Sequence, residues 1–339
     1  MKKITIFLIL LCLMVTGCGK NSVSNVTNNI LKKYDKSSGY ILNGDLEINN
    51  NDDVYNYFVT AAFDKKGDNY KITLKNKAND FKQIILKNND GVFLLTPSLN
   101  KSFKFSSKWP NNNSQIYLFD TLIKDIKRDN EKKFEFKNNK YIYRTKVNYP
   151  NNSKISKQKI IFDNRYNLKM VSVYDSDNKV CMNLTVNKLS LSPKFKKNYF
   201  DFDEDVIVND DNLKKKSDNT TTKETMSIDD VIYPLFLPSG TKLIDEKKID
   251  KDNGQRVIMT YDGERSFLLV EETLDVLNEL TIIPSSGEPF QLLDTIGVMT
   301  DNSLSWTSGD MEYYLVSEVM DKDELIEIAQ SVVGISSIK

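Results

Sequence analysis

The chain holds a few constellations whose residue types and spacing could carry chemistry. Ser98 and Lys101 stand as Ser-x-x-Lys, and Ser217-Asp218-Asn219 follows, two of the three elements that acylating serine enzymes use. The third, Lys-Thr-Gly, is missing, and Ser98 follows Pro97 in strand-like sequence where such a nucleophile would open a helix. Asp201, Asp203 and Asp205 are spaced like the start of a calcium loop. That loop needs glycine at its sixth position and glutamate at its twelfth, where Val206 and Asn212 stand, so solvated linker charge is the better reading. Cys181 lies beyond the export segment that holds the other two cysteines, Cys12 and Cys18, so the folded body has no internal disulfide. A strand cysteine packed beneath a loop is preferred over a link between two copies.

Histidine is absent from all 339 residues. That removes Ser-His and Cys-His nucleophile pairs, the usual zinc sites and a histidine general base. No carboxylate pair stands out for hydrolysis. The expectation is a chain that is not an enzyme, with no metal and no cofactor. Basic and acidic residues balance at 47 each, so the electrostatic footprint of a nucleic-acid binder is missing and no nucleic-acid partner is expected.

The amino terminus reads as an export signal. Lys2 and Lys3 precede an apolar run from Ile4 to Val15. Such a run is too short to cross a hydrocarbon core, which takes roughly 20 residues, and suits a signal-peptide core instead. It ends in Val15-Thr16-Gly17-Cys18, which resembles a bacterial lipobox, although leucine is commoner than valine three residues before the cysteine. The expected state is a diacylglyceryl anchor on Cys18 that holds the protein on the outer face of the cytoplasmic membrane. Each buried methylene contributes about 0.8 kcal/mol, so two acyl chains anchor stably.

The elements that would position any site follow from periodicity. Val26, Ile30, Leu31 and Tyr34 recur at helical spacing, and the pattern then changes to period two. Leu42, Leu46 and Ile48 share one strand face, Tyr57, Val59 and Phe63 another, Ile72 and Leu74 a third, and Tyr141, Tyr143 and Val147 a fourth. A second helix is expected over Gln115 to Arg128, and Asp321 with Glu324 forms a capping box for a last helix ending near Gly334. The expected organisation is a signal peptide at 1–17, a tether at 18–29, a first domain at 30–205, a polar linker at 206–225 and a smaller α+β domain at 226–339. About ten antiparallel strands carrying two helices make the first domain α+β as well.

The stretch Gly91-Val92-Phe93-Leu94-Leu95-Thr96-Pro97, the segment from Leu95 to Trp109 and the carboxy-terminal Trp306, Gly309, Tyr313 to Ser317 and Asp323 to Ser331 carry a family likeness. The first domain resembles the LolA/RseB-like superfamily, and both domains are similar to YdcC-type sporulation lipoproteins, with GerS-type germination lipoproteins more distant. The resemblance implies a curved antiparallel half-barrel sheet with helices over its concave face, around an apolar groove. It implies a Gram-positive spore former and a binding role, with a lipid, a lipoprotein segment or an apolar peptide as ligand. Docking onto a cell-wall amidase as a scaffold or activator is the alternative. The eleven residues of the four strand faces named above would line such a groove or fill a core beneath the helices; the pattern is the same for both.

Overall fold

The computed structural model describes residues 21–50, 53–110, 113–149, 152–202, 227–292 and 295–332. The expected signal peptide, Cys18, the 206–225 linker and Gly334 lie outside these residues.

Chain order begins with helix α1 (Val23–Asp35), then strands β1 (Gly39–Asn50), β2 (Asp53–Asp64), β3 (Asn69–Asn76), β4 (Lys82–Asn88), β5 (Gly91–Thr96) and β6 (Lys101–Phe105). Helix α2 (Phe119–Arg128) follows, then β7 (Lys133–Lys137), β8 (Lys140–Lys146), β9 (Ile155–Asp163), β10 (Leu168–Asp175) and β11 (Val180–Leu191). These strands form one antiparallel meander in which β1 pairs with β11, joining the two halves. Its outermost strands do not pair with each other, so the curved sheet stays open.

Alternation builds this sheet. Side chains of a strand point to opposite faces in turn, and the inward sets from both halves meet in one core with α1 and α2. Helix α2 buries Phe119, Leu122, Ile123 and Ile126 in it. Asp120 fixes its entry, its carboxylate accepting hydrogen bonds from the Tyr40 and Tyr70 hydroxyls at 2.8 and 3.0 Å. On the opposite face, Phe93 and Leu95 are covered by Phe200, with Phe195, Tyr199 and Phe202 beside it. Gly44 sits at a bulge where a Cβ would come within 2.6 Å of the Thr185 carbonyl oxygen.

The remaining elements are β12 (Lys242–Lys251), β13 (Gly254–Asp262), β14 (Phe267–Thr273), β15 (Thr281–Ser285), β16 (Glu288–Gln291), β17 (Ile296–Met299), β18 (Ser303–Ser308), β19 (Met311–Val316) and helix α3 (Lys322–Ser331). All but β15 of these strands form a second sheet, in the order β12-β13-β14-β19-β18-β17-β16, against which α3 packs. The Asp321 capping box is present, with reciprocal bonds to and from Glu324 at 3.0 Å.

Three expectations need correction. Helix α1 begins at Val23 with Ser22 as its N-cap and Val26 fully buried, so residues 23–29 are helix and not tether. Helix α2 starts at Phe119 and not at Gln115, because the Thr121 hydroxyl binds the Gln115 backbone and holds a turn there. The two regions are also not separate bodies of sheet. Strand β15 leaves the carboxy-terminal region and pairs in parallel with β6, and Ile296 and Val298 of β17 enter the first core. Gln83 of β4 locks this seam, donating to the Ile296 carbonyl at 2.9 Å and accepting from its N–H at 2.6 Å.

Candidate functional site

The expected groove is filled. Leu42, Leu46, Ile48, Tyr57, Val59, Phe63, Ile72, Leu74, Tyr141 and Tyr143 are all buried members of the core beneath α1 and α2. Val147 lies past the end of β8, half-buried beside a surface depression with Arg128 and Asp129. Packing at organic-crystal density leaves little free volume under such helices. The structure therefore groups these residues as a core, and of the eleven only Ile48 reaches the open space described next.

That space is a cleft of about 270 Å³ between the far end of the large sheet and the carboxy-terminal unit. Its floor is apolar: Ile48 and Met182 from the sheet, Ile116 and Tyr117 from the turn before α2, Phe290 from β16 and Ile326 from α3. Its rim is rich in amides, with Asn49, Asn50, Asn113, Asn152 and Gln330. Two contacts bridge the walls: Lys154 pairs with Glu327 at 3.2 Å, and the Ser153 N–H donates to the Asp323 carboxylate at 2.9 Å, with the Ser153 hydroxyl bonded to the same group. Asn50 adds a bond to the Gln330 carbonyl at 3.3 Å.

Gln291 borders the cleft. Its amide nitrogen donates to the carbonyls of Leu292 and Thr295, while its side-chain oxygen is buried without a hydrogen-bond partner. A buried acceptor left unpaired costs about 1–3 kcal/mol. Burial pushes the Tyr117 and Tyr149 hydroxyls well above their ordinary range, so both stay neutral donors. Cys181 lies half-buried on the cleft wall, its thiol directed at the Lys179 carbonyl at 3.8 Å. Burial, reinforced by Asp175, raises its pKa, which makes it a poor nucleophile.

The other constellations do not assemble. Ser98 is exposed in a short 3-10 turn (Pro97–Leu99), and the Lys101 ammonium is held by Glu312 at 2.7 Å instead of serving as a base. Asp201 is exposed, and Asp203, Asp205 and Ser217 to Asn219 lie outside the described residues. Among the described residues no cluster of three or more acidic or cysteine side chains could hold a metal.

Of the candidate site residues read from the sequence, only Ile48 and Cys181 line the cleft. Ile326 was the available signal: it adds an apolar residue beside the Leu325, Ile328, Ala329 and Val332 stripe and widens it toward a second neighbour. Phe290 gave none, lying in a four-residue strand.

A large, open, curved sheet with two helices packed in its concavity, taking its edge strand β15 from the region that forms a smaller sheet and helix, defines an α+β protein with a cleft at the junction. No family model matches the chain. The sporulation protein YdcC of Bacillus subtilis (strain 168) is 35% identical over 330 residues, spanning 97% of this chain and 96% of that protein. The chain belongs to the YdcC family of sporulation proteins. Solved structures give distant likenesses. A Pseudomonas aeruginosa MucA/MucB complex matches 91% of this chain and 98% of its own at 9% identity and TM-score 0.32. The Clostridioides difficile CwlD amidase in complex with the GerS lipoprotein matches 53% and 98% at 16% identity and TM-score 0.27. A putative outer membrane lipoprotein-sorting domain from Vibrio parahaemolyticus matches 54% and 96% at 14% and 0.33.

Proposed function

We propose that this protein is a non-catalytic sporulation lipoprotein, anchored through Cys18 on the outer face of the cytoplasmic membrane, that holds an extended apolar polypeptide segment in the junction cleft. The observation that carries this reading is the pairing of an apolar floor with an amide rim. An extended peptide offers alternating side chains for the floor and backbone N–H and C=O groups for the rim. An acyl chain would satisfy the floor and make no use of the rim amides. Apolar contact supplies affinity, and the polar groups fix orientation.

The test is a titration of the purified protein with a panel of fluorescent apolar peptides and with fatty acids, repeated on Glu327→Trp. Glu327 borders the cleft and is partly exposed, so tryptophan there fills the space without disturbing the core. Saturable peptide binding that Glu327→Trp abolishes supports the reading. Peptide binding indifferent to Glu327→Trp, or fatty-acid binding without peptide binding, overturns it.

A second reading, a scaffold that docks onto a cell-wall-modifying enzyme, draws on β12. This edge strand is exposed along its length, with Leu243, Ile244 and Ile249 outward. Lys242, Lys247 and Lys248 on the same strand work against edge pairing, so it stands second.

A further inference from the structure

The end of the large sheet opposite the cleft carries a compact aromatic and basic corner where the chain emerges from its amino-terminal segment. Tyr141 donates to the Asn21 side chain at 3.2 Å, and Asn29 of α1 donates to the Tyr166 hydroxyl at 3.1 Å. Tyr166 stacks on Tyr141 with ring centroids 5.4 Å apart, and Phe136, 42% exposed, adds a third ring at 5.0 Å from Tyr141. Around these rings stand Lys137, Lys140 and Arg165, all exposed and without an ion pair among the described residues. The acids nearby are already engaged. Asp163 accepts the backbone N–H groups of Arg165 and Asn167, each at 2.9 Å, and Glu135 pairs with Arg144 at 3.0 Å.

We propose that this corner is a membrane-docking surface for anionic phospholipid headgroups, which orients the anchored protein with its cleft facing away from the bilayer. The proposal rests on the anchoring of Cys18. Cys18 precedes Asn21 by three residues, a reach of at most about 11 Å, so acylated Cys18 keeps this corner within reach of the bilayer surface and leaves its side chains to set the orientation. Exposed aromatic rings edged by lysine and arginine are the side chains that settle at headgroup level. Strand β9 sets the height: Asp163 is at the anchored end, and Ile155, eight residues back along the strand, lines the cleft. That length at roughly 3.3 Å per residue lifts the cleft about 26 Å from the corner, which leaves it open to segments of other envelope proteins.

The experiment uses the mature lipoprotein carrying Cys181→Ser and one new cysteine, either Asn164→Cys in the β9–β10 turn or Asp177→Cys in the β10–β11 turn. Each is labelled with an environment-sensitive fluorophore and reconstituted into phosphatidylglycerol/phosphatidylcholine vesicles containing a headgroup nitroxide lipid. Intact mass confirms the acyl chains in the same sample. Quenching several-fold stronger at position 164 than at 177 is expected. It should fall to the level of 177 with Lys137→Glu, Lys140→Glu and Arg165→Glu combined, while the protein stays on the vesicles. Equal quenching at the two positions in protein of confirmed acylation overturns the docking surface and leaves anchoring intact. Persistence of strong quenching after charge reversal overturns the role of anionic headgroups. A mass without acyl chains removes the anchor itself, and the proposal with it.

Discussion

Asp120 offers the sharpest test of how the concave face is sealed. Its side chain is 2% exposed and accepts two tyrosine hydroxyls, while the nearest cation, Lys124, is 3.6 Å away and half in solvent. Burial and the Asp120 charge push the Tyr40 and Tyr70 hydroxyls far up, so both remain donors. Asp120→Ala strands two buried O–H groups, and at about 1–3 kcal/mol for each unpaired group the gross loss is about 2–6 kcal/mol. Removing a desolvated carboxylate returns part of this, so a net loss of about 2–4 kcal/mol is expected. The double variant Tyr40→Phe/Tyr70→Phe leaves the carboxylate with only the half-solvated Lys124, and breaking a buried charged cluster from one side costs about 3–5 kcal/mol. The triple variant Tyr40→Phe/Tyr70→Phe/Asp120→Leu removes every partner together and should lie within about 1 kcal/mol of wild type. Urea unfolding at neutral pH reads all three through Trp109, whose ring is 6.2 Å from Tyr70. A triple variant as unstable as the sum of its parts, or Asp120→Ala indistinguishable from wild type, would refute the reasoning.

Two further outcomes follow from other buried groups. Gln83→Leu leaves the Ile296 N–H and C=O without their seam partner, at about 2–6 kcal/mol for the two groups. Faster hydrogen exchange in β17 with little change in β9 is expected, and unchanged β17 protection would contradict the seam. Asp125 is buried and, although Ser114 and Gln158 donate to it, desolvation lifts its pKa from 3.8 to about 6. A raised carboxyl pKa means the folded state holds the proton more tightly, so this group's stabilisation is complete below pH 4 and is lost as pH rises through 6. The shift corresponds to at most about 3 kcal/mol. Thermal melts of Asp125→Asn should lose this slope and exceed wild type at pH 8. Glu271, raised by burial in the second core, contributes with the same sign.

Much of the first sheet was legible because half-buried strands write their inward face at every second residue. The inward sets of β1, β2, β3 and β8 fell where the alternation placed them, and Asp321 and Glu324 announced α3 through side-chain to backbone bonds that need no tertiary partner. Strand β12 was missed because both of its faces are exposed, so it carries no alternation. Strand β15 was missed because Pro284 argues against a strand interior; at a sheet edge, the missing N–H leaves no ladder bond unmade. Strand β17 has all four residues buried and is too short for a period to show.

Residue order alone determined which side chains turn inward and where α3 begins, since both are properties of neighbours within a few positions. Whether an inward face bounds a groove or a solid core is a difference between the volume enclosed and the volume filled, and that waited on α1 and α2 settling into the concavity. The cleft is a stronger case. Its walls come from positions as distant as Ile48 and Gln330, brought opposite each other by the β6–β15 pairing and the Gln83 clamp. A void belongs to no residue, so only the tertiary arrangement could place it.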